Sequence, residues 1–245
     1  MAMAKLLNEE KLNADLTAVA NAIREKTGGA EALAFPEGFA QAIGGIQVSS
    51  GDERAAMDLF LTGKLIRYES DVTGAVVEYA FRNHKELKEL ILTKVTGTGT
   101  YMCYLCSALE RAVLLSVRYL NNYAFQKCTS LAEITVPKVE TLQRNCFDSC
   151  GALTSFDGPS SLWQINTQTF LNCSRLETLI LRNPNRVVAL VNADAFSGTP
   201  IVAGTGYVYV PRNLIPEYEA DSVWQSYISQ IRAIEDYPEI CGGGA

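Results

Sequence analysis

The sequence predicts an α/β repeat fold: a solenoid with one short parallel-sheet strand per coil of 22–23 residues, N-terminal helices and a C-terminal strand–helix cap. Three observations carry this expectation. A ladder of apolar residues recurs at a fixed displacement, cysteine recurs at one slot of that ladder, and a pair of apolar residues recurs at constant distance ahead of it.

The ladder is clearest from Ala124 to Val136, where Phe125 is followed by Cys128, Leu131, Ile134 and Val136. Phe147, Cys150, Leu153 and Phe156 repeat it 22 residues on, and Phe170, Cys173, Leu176, Leu179 and Leu181 repeat it 23 further. Backwards by 22, Cys103, Cys106, Leu109, Ala112 and Leu114 fit, with Cys in the Phe position. Another 22 back stand Phe81, His84, Leu87, Leu90 and Leu92, with His in the Cys position. A degenerate copy starts at Ala195-Phe196 and has Thr199 where Cys would be. The pairs Val117/Leu120, Val139/Leu142, Leu162/Ile165 and Val188/Val191 lie eight and five positions before the Phe position. A period of this length belongs to leucine-rich-repeat solenoids. Leu-x-x-Ile-x-Val is a strand, and stacking one strand per coil makes a parallel sheet with neighbours about 4.8 Å apart. No single coil buries its apolar side alone, so the copies specify a stack together.

The Ala-Phe-x-x-Cys-x-x-Leu-x-x-Ile pattern, from about Gly63 to Pro200, resembles the BspA-like leucine-rich repeat family of bacterial surface and phage-associated proteins. Ala20 to Gly29 and Phe35-Pro36-Glu37-Gly38-Phe39 resemble a helical module at the start of phage or prophage tail-type proteins. The stretch from Gly204 to Val210, continuing through Trp224, Tyr227, Ile231 and Glu235, is similar to the cap that closes many BspA-like chains. These resemblances imply attachment or adhesion, in a phage tail or on a bacterial surface.

The expected organisation is a helical module over 1–50, the solenoid over 53–203, the cap over 204–240 and a tail over 241–245. In residues 9–26, Leu12, Leu16, Val19 and Ile23 fall on one helical face, with Asn8 as N-cap and Gly28 as the left-handed stop. A second short helix is expected from Pro36, carrying Phe39 and Ile43, and residues 48–52 form a turn-rich boundary. This pair of helices is too small to hold a core, so it docks on its own solenoid, on another protein or on a second copy. In the cap, Tyr207–Val210 reads as a strand. Asp221–Ile231 reads as a helix capped by Asp221, with Trp224, Tyr227, Ile228 and Ile231 as its apolar face.

Composition excludes several functions. The 245 residues are 48% hydrophobic and 20% charged, with net charge −6, which argues against an electrostatic grip on nucleic acid or anionic lipid. Apolar stretches such as Ala112 to Val117 are far short of the roughly 20 residues that span a bilayer. Met1 to Lys5 runs directly into Asn8-Glu9-Glu10-Lys11, with no signal-peptide apolar segment. Cytoplasmic synthesis is therefore expected, followed by assembly into a virion tail or display on a cell surface by a non-classical route.

Catalytic and metal chemistry find little support. Cys103-x-x-Cys106 has zinc-half-site spacing, but Cys106, Cys128, Cys150 and Cys173 share one slot of the repeat and read as core. His84, the one histidine, occupies that same slot and reads as a spacer rather than a catalytic base. Gly97-Thr98-Gly99 and Gly204-Thr205-Gly206 lack a phosphate-loop signature and read as turns. No enzyme activity, metal or cofactor is expected.

What remains is the outer face of the sheet, because alternate strand residues point away from the core. One outward row runs Glu89, Arg111, Glu133, Ser155 and Thr178, alternating in sign at first, as cross-strand pairing favours. The next runs Ile91, Val113, Thr135, Asp157 and Ile180, with Thr93, Leu115 and Arg182 beyond it. Ile91, Val113 and Ile180 are large apolar residues that the core does not require. Glu89, Ile91, Arg111, Val113, Leu115, Glu133, Thr135, Thr178, Ile180 and Arg182 are thus the candidate contact residues for a protein or surface-glycan partner. The competing account is β-propensity on a shielded face, or docking of the N-terminal helices there.

Overall fold

A computed structural model describes residues 64–71 and 73–241. The expected N-terminal helices, with Leu12, Leu16, Val19 and Ile23, the boundary at 48–52 and the last four residues lie outside the described part.

Each coil contributes two parallel strands. The longer ones are β1 (Arg67–Ser70), β3 (Glu89–Leu92), β5 (Arg111–Leu114), β7 (Glu133–Thr135), β9 (Ser155–Gly158) and β11 (Thr178–Leu181). The shorter ones are β2 (Gly74–Ala75), β4 (Val95–Gly97), β6 (Tyr119–Leu120), β8 (Thr141–Leu142), β10 (Gln164–Ile165) and β12 (Ala189–Leu190). The short strands form one continuous parallel sheet of six. The long strands divide: β1-β3-β5-β7 form one sheet, and β9-β11 continue into β13 (Tyr207–Val210) and β14 (Ile231–Ala233). β7 and β9 lie side by side but are not hydrogen-bonded into one sheet. Pro137 follows β7 and Pro159 follows β9, and proline has no N–H to lengthen either ladder.

The register is that of the repeat. Glu89 pairs with Arg111 and Arg111 with Glu133, so equivalent residues stand side by side. Between the strands runs the core. Phe125, Phe147, Phe170 and Phe196 stack at 5.4–5.8 Å with planes within 12°, and the Leu positions from Leu87 to Leu176 are fully buried. Val191 departs from expectation: it is half exposed, and Leu190 pairs with Ile165 and points inward in its place. The step from Ile165 to Leu190 is 25 residues, so the last coil is longer than the others.

The turn around each Phe position has a geometry of its own. Residues two before and two after it take positive φ, from Tyr79 and Asn83 in the first coil to Gln168 and Asn172 in the fifth. With a left-handed residue at each end, the turn aims every second N–H at the next coil: Tyr79, Phe81 and Asn83 donate to the carbonyls of Thr100, Met102 and Tyr104. Tyr101, Cys103 and Leu105 repeat this to Asn122, Ala124 and Gln126. Inter-coil hydrogen bonds offset the left-handed backbone cost.

The cap closes the last coil with aromatic residues. Trp224 and Tyr218 are fully buried, and Trp224 Nε1 donates to the Val188 carbonyl at 2.8 Å. Tyr218 Oη accepts from Val188 N at 3.0 Å. Asp221 does cap, its Oδ1 accepting from Val223 N and Trp224 N at 2.9 and 3.0 Å. The helix expected to follow is instead a 3-10 turn over Trp224–Gln230, and Ile231 enters β14. Pairing with the open edge of β13 outweighs local helix preference here, and it leaves Ile228 exposed. Short helices α1 (Pro200–Ala203), α2 (Ile215–Ala220) and α3 (Pro238–Cys241) complete the cap.

Candidate partner-binding face

The cysteine slot resolves as core. Cys106, Cys128, Cys150 and Cys173 are buried, as are Cys103 and Cys146. Among the described residues no three His, Cys, Asp or Glu side chains gather as a metal-ligand set. Burial pushes the Cys103, Cys128, Cys146 and Cys150 thiols well up, and Cys173 up to about 12. His84 is buried in the first coil, edge-on to Phe81 at 6.1 Å, where desolvation lowers its basicity.

The outer face of the β1-β3-β5-β7 sheet carries an ion ladder. Arg67 pairs with Glu89, Arg111 Nη1 reaches Glu89 Oε1 at 2.6 Å, and Arg111 Nε lies 3.4 Å from Glu133 Oε2. Arg67 belongs to this row although the sequence row began at Glu89; it stands 22 residues earlier and follows from carrying the register back one coil. Exposed pairs of this kind contribute little stability, but they neutralise the row and fix its side chains. Beside it, Ile91 is half-buried, Val113 is 8% exposed between Ile91 and Thr135, and Leu115 is 38% exposed. Thr135 and Glu133 are open to solvent. Glu89, Ile91, Arg111, Val113, Leu115, Glu133 and Thr135 therefore come together on one surface.

Thr178, Ile180 and Arg182 belong to a different surface. On the outer face of the β9-β11-β13-β14 sheet, Ile180 packs with Tyr209 and Ile234, and Tyr207, Tyr237 and Ile240 pack around them. Arg182 binds Asp157 in bidentate fashion at 2.6 and 2.9 Å, and its Nη2 also donates to the Ile240 carbonyl at 2.7 Å. The chain's own C-terminal segment thus occupies Ile180 and Arg182, while Thr178 stays half-buried at the margin. Nothing in the spacing of the repeats announces that a cap would turn back over the strand face.

Residues 96–205 match the BspA type leucine rich repeat region, in six copies. The coils of this segment are thus similar to BspA-type leucine-rich repeats. No curated protein matches the chain at a significant level. A leucine-rich repeat protein from Bacteroides ovatus ATCC 8483 is similar over 66% of this chain and 42% of its own length, at 19% identity and TM-score 0.47. The T. pallidum leucine rich repeat protein is similar over 64% of this chain and 83% of its own, at 20% identity and TM-score 0.47. The BspA-type match covers the coils that bear most of the outer-face residues, Arg111 to Arg182, and ends before β13. Among the described residues no helix is long and apolar enough to cross a membrane.

Proposed function

We propose that the chain is a non-enzymatic recognition protein whose first strand face, not its second, receives a protein partner, in a phage or prophage tail setting. One observation carries this reading: the chain covers the outer face of its second sheet with its own Ile234, Tyr237 and Ile240, while no described residue is packed over Ile91 and Leu115. An apolar strip beside a fixed, self-neutralised row of charges suits a partner that brings an apolar centre and a polar rim. The tail setting rests on the resemblance of residues 20–39 to tail-type modules, through which Leu12, Leu16, Val19 and Ile23 would assemble with a structural protein or a second copy. Bacterial cell-surface adhesion, with a surface glycan or protein as target, is the alternative, and an intracellular protein–protein scaffold is a further one.

The test uses the whole chain as bait against bacterial host lysate and surface extract, beside Leu115→Asp. Recovery of a tail structural protein or surface component by the native chain, reduced about tenfold by Leu115→Asp at an unchanged unfolding midpoint, is expected. Equal recovery by both baits sinks the first-face assignment.

A further inference from the structure

A second surface lies at the turns and is independent of the strand faces. Coils one to three each place a tyrosine in the left-handed region just ahead of the Phe position: Tyr79, Tyr101 and Tyr123, with φ of 61, 55 and 58°. The next two coils use Asn145 and Gln168 at the same place. Asparagine enters this region readily, whereas a bulky ring there is uncommon. The left-handed backbone belongs to every turn of the repeat; what sets coils one to three apart is the aromatic ring carried there.

The three rings form a row. Tyr79 and Tyr101 stack at 5.4 Å with planes 7° apart, and Tyr101 and Tyr123 at 4.5 Å and 3°. Tyr104 meets Tyr101 edge-on at 5.5 Å. Two cations are held against these rings: Arg82 lies 5.4 Å from the Tyr79 centroid and 5.7 Å from that of Tyr104, and Lys127 lies 5.8 Å from Tyr104. Both cations are exposed, and neither makes an ion pair among the described residues. Asp148, a carboxylate in a following coil, is occupied by Gln126 Nε2 at 2.6 Å and Asn145 Nδ2 at 3.3 Å. A groove of about 690 Å³ opens beside Tyr79, lined by Val77, Glu78, Thr98, Thr100 and Asn121.

Ring faces within the row are turned to one another, so what it offers outward is a line of phenol edges and hydroxyls with two cations beside it. A linear chain of sugar rings presents hydroxyls at a comparable repeat, and acidic substituents on it would meet Arg82 and Lys127. On a chain of net charge −6, such an un-neutralised pair selects for anionic groups locally. We propose that Tyr79, Tyr101 and Tyr123, with Arg82 and Lys127, form a binding site for an acidic polysaccharide.

The test is binding of the whole chain to polygalacturonate and to dextran sulfate, with dextran as the neutral control. Binding to an acidic polymer and not to dextran, weakening as ionic strength rises, is expected. The double variant Arg82→Gln/Lys127→Gln should lose affinity about tenfold. Tyr101→Asn, which places there the residue coil four uses, should weaken binding while the chain stays folded; should it unfold, Tyr101→Phe keeps the ring, and binding must still fall. Binding to dextran as strong as to the acidic polymers, binding to none of them, variants that bind unchanged, or capture of a protein through these residues without any polysaccharide would each overturn the proposal.

Discussion

The thiol of Cys128 reaches back one coil and donates to the backbone carbonyl of Cys103, 3.1 Å away and 25 residues earlier. Cys106, Cys150 and Cys173 do the same to Phe81, Phe125 and Phe147, at 2.8, 3.2 and 3.0 Å. Each of these carbonyls also accepts an N–H from its own turn, three residues on. The slot therefore needs a side chain small enough for the core and able to donate to a second lone pair. Cysteine meets both needs. Cys128→Ala keeps the turn bond but loses the inter-coil one and some packing, and should cost about 1–2 kcal/mol by urea unfolding. Cys128→Ser retains a donor and should cost less than Cys128→Val; the reverse order would show that volume alone fills the slot.

Thiol reactivity follows from the same burial. Six of the seven cysteines are buried, and Cys241 is exposed. Because the thiolate is the reactive form, raised thiols in the core are protected twice, by access and by protonation. Ellman's reagent at pH 8 should titrate one thiol in the native chain and seven in denaturant. Two or more fast-reacting thiols in the native chain would place the ladder nearer the surface than described.

His84 gives the fold a pH dependence. Burial holds its imidazole below the ordinary value of 6.5, so the unfolded chain takes up a proton that the folded one resists. Stability from this group is complete above pH 6.5 and falls as pH drops through it, by at most about 1.4 kcal/mol per pH unit. His84→Cys, restoring the residue of the later coils, should make the loss between pH 7.5 and 5.5 smaller than in the native chain. Parallel stability curves for the two proteins would remove His84 from the account.

Tyr237 meets Tyr209 edge-on at 4.9 Å and helps cover Ile180. Tyr237→Ala should cost about 1–2 kcal/mol and leave the coils folded. Hydrogen exchange should then rise in 178–182 and 207–210 but not in 111–136. A uniform rise along the whole chain would mean that the C-terminal segment stabilises the entire stack.

The fold was legible because a repeat states each constraint several times. Phe125, Phe147 and Phe170 carry the same neighbours at the same spacing, so register, strand face and core followed together. Single-copy features were harder to read. Ile231 sits in a helical pattern with Trp224 and Tyr227, yet β13 offers an open edge, and that long-range pairing prevails. The covering of Ile180 depends on where Tyr237 and Ile240 return in space, which local periodicity does not encode. Arg67 was within reach of the register argument; the left-handed tyrosines were not, since nothing in a Tyr-x-Phe spacing reveals φ.

The unidirectional amides of the turn ladder have an electrical consequence. Tyr79, Tyr101, Tyr123 and Asn145 donate to Thr100, Asn122, Arg144 and Thr167, always toward the next coil. Peptide dipoles alternate and nearly cancel in ordinary strands; aligned this way they add, as they do along a helix. This edge of the solenoid therefore has an amide-rich positive pole toward the cap. There the last donor of the row, the N–H of Gln168, meets no carbonyl but the carboxylate of Asp194, at 3.3 Å. The stack ends as a well-capped helix begins, with a fixed negative charge at its positive pole.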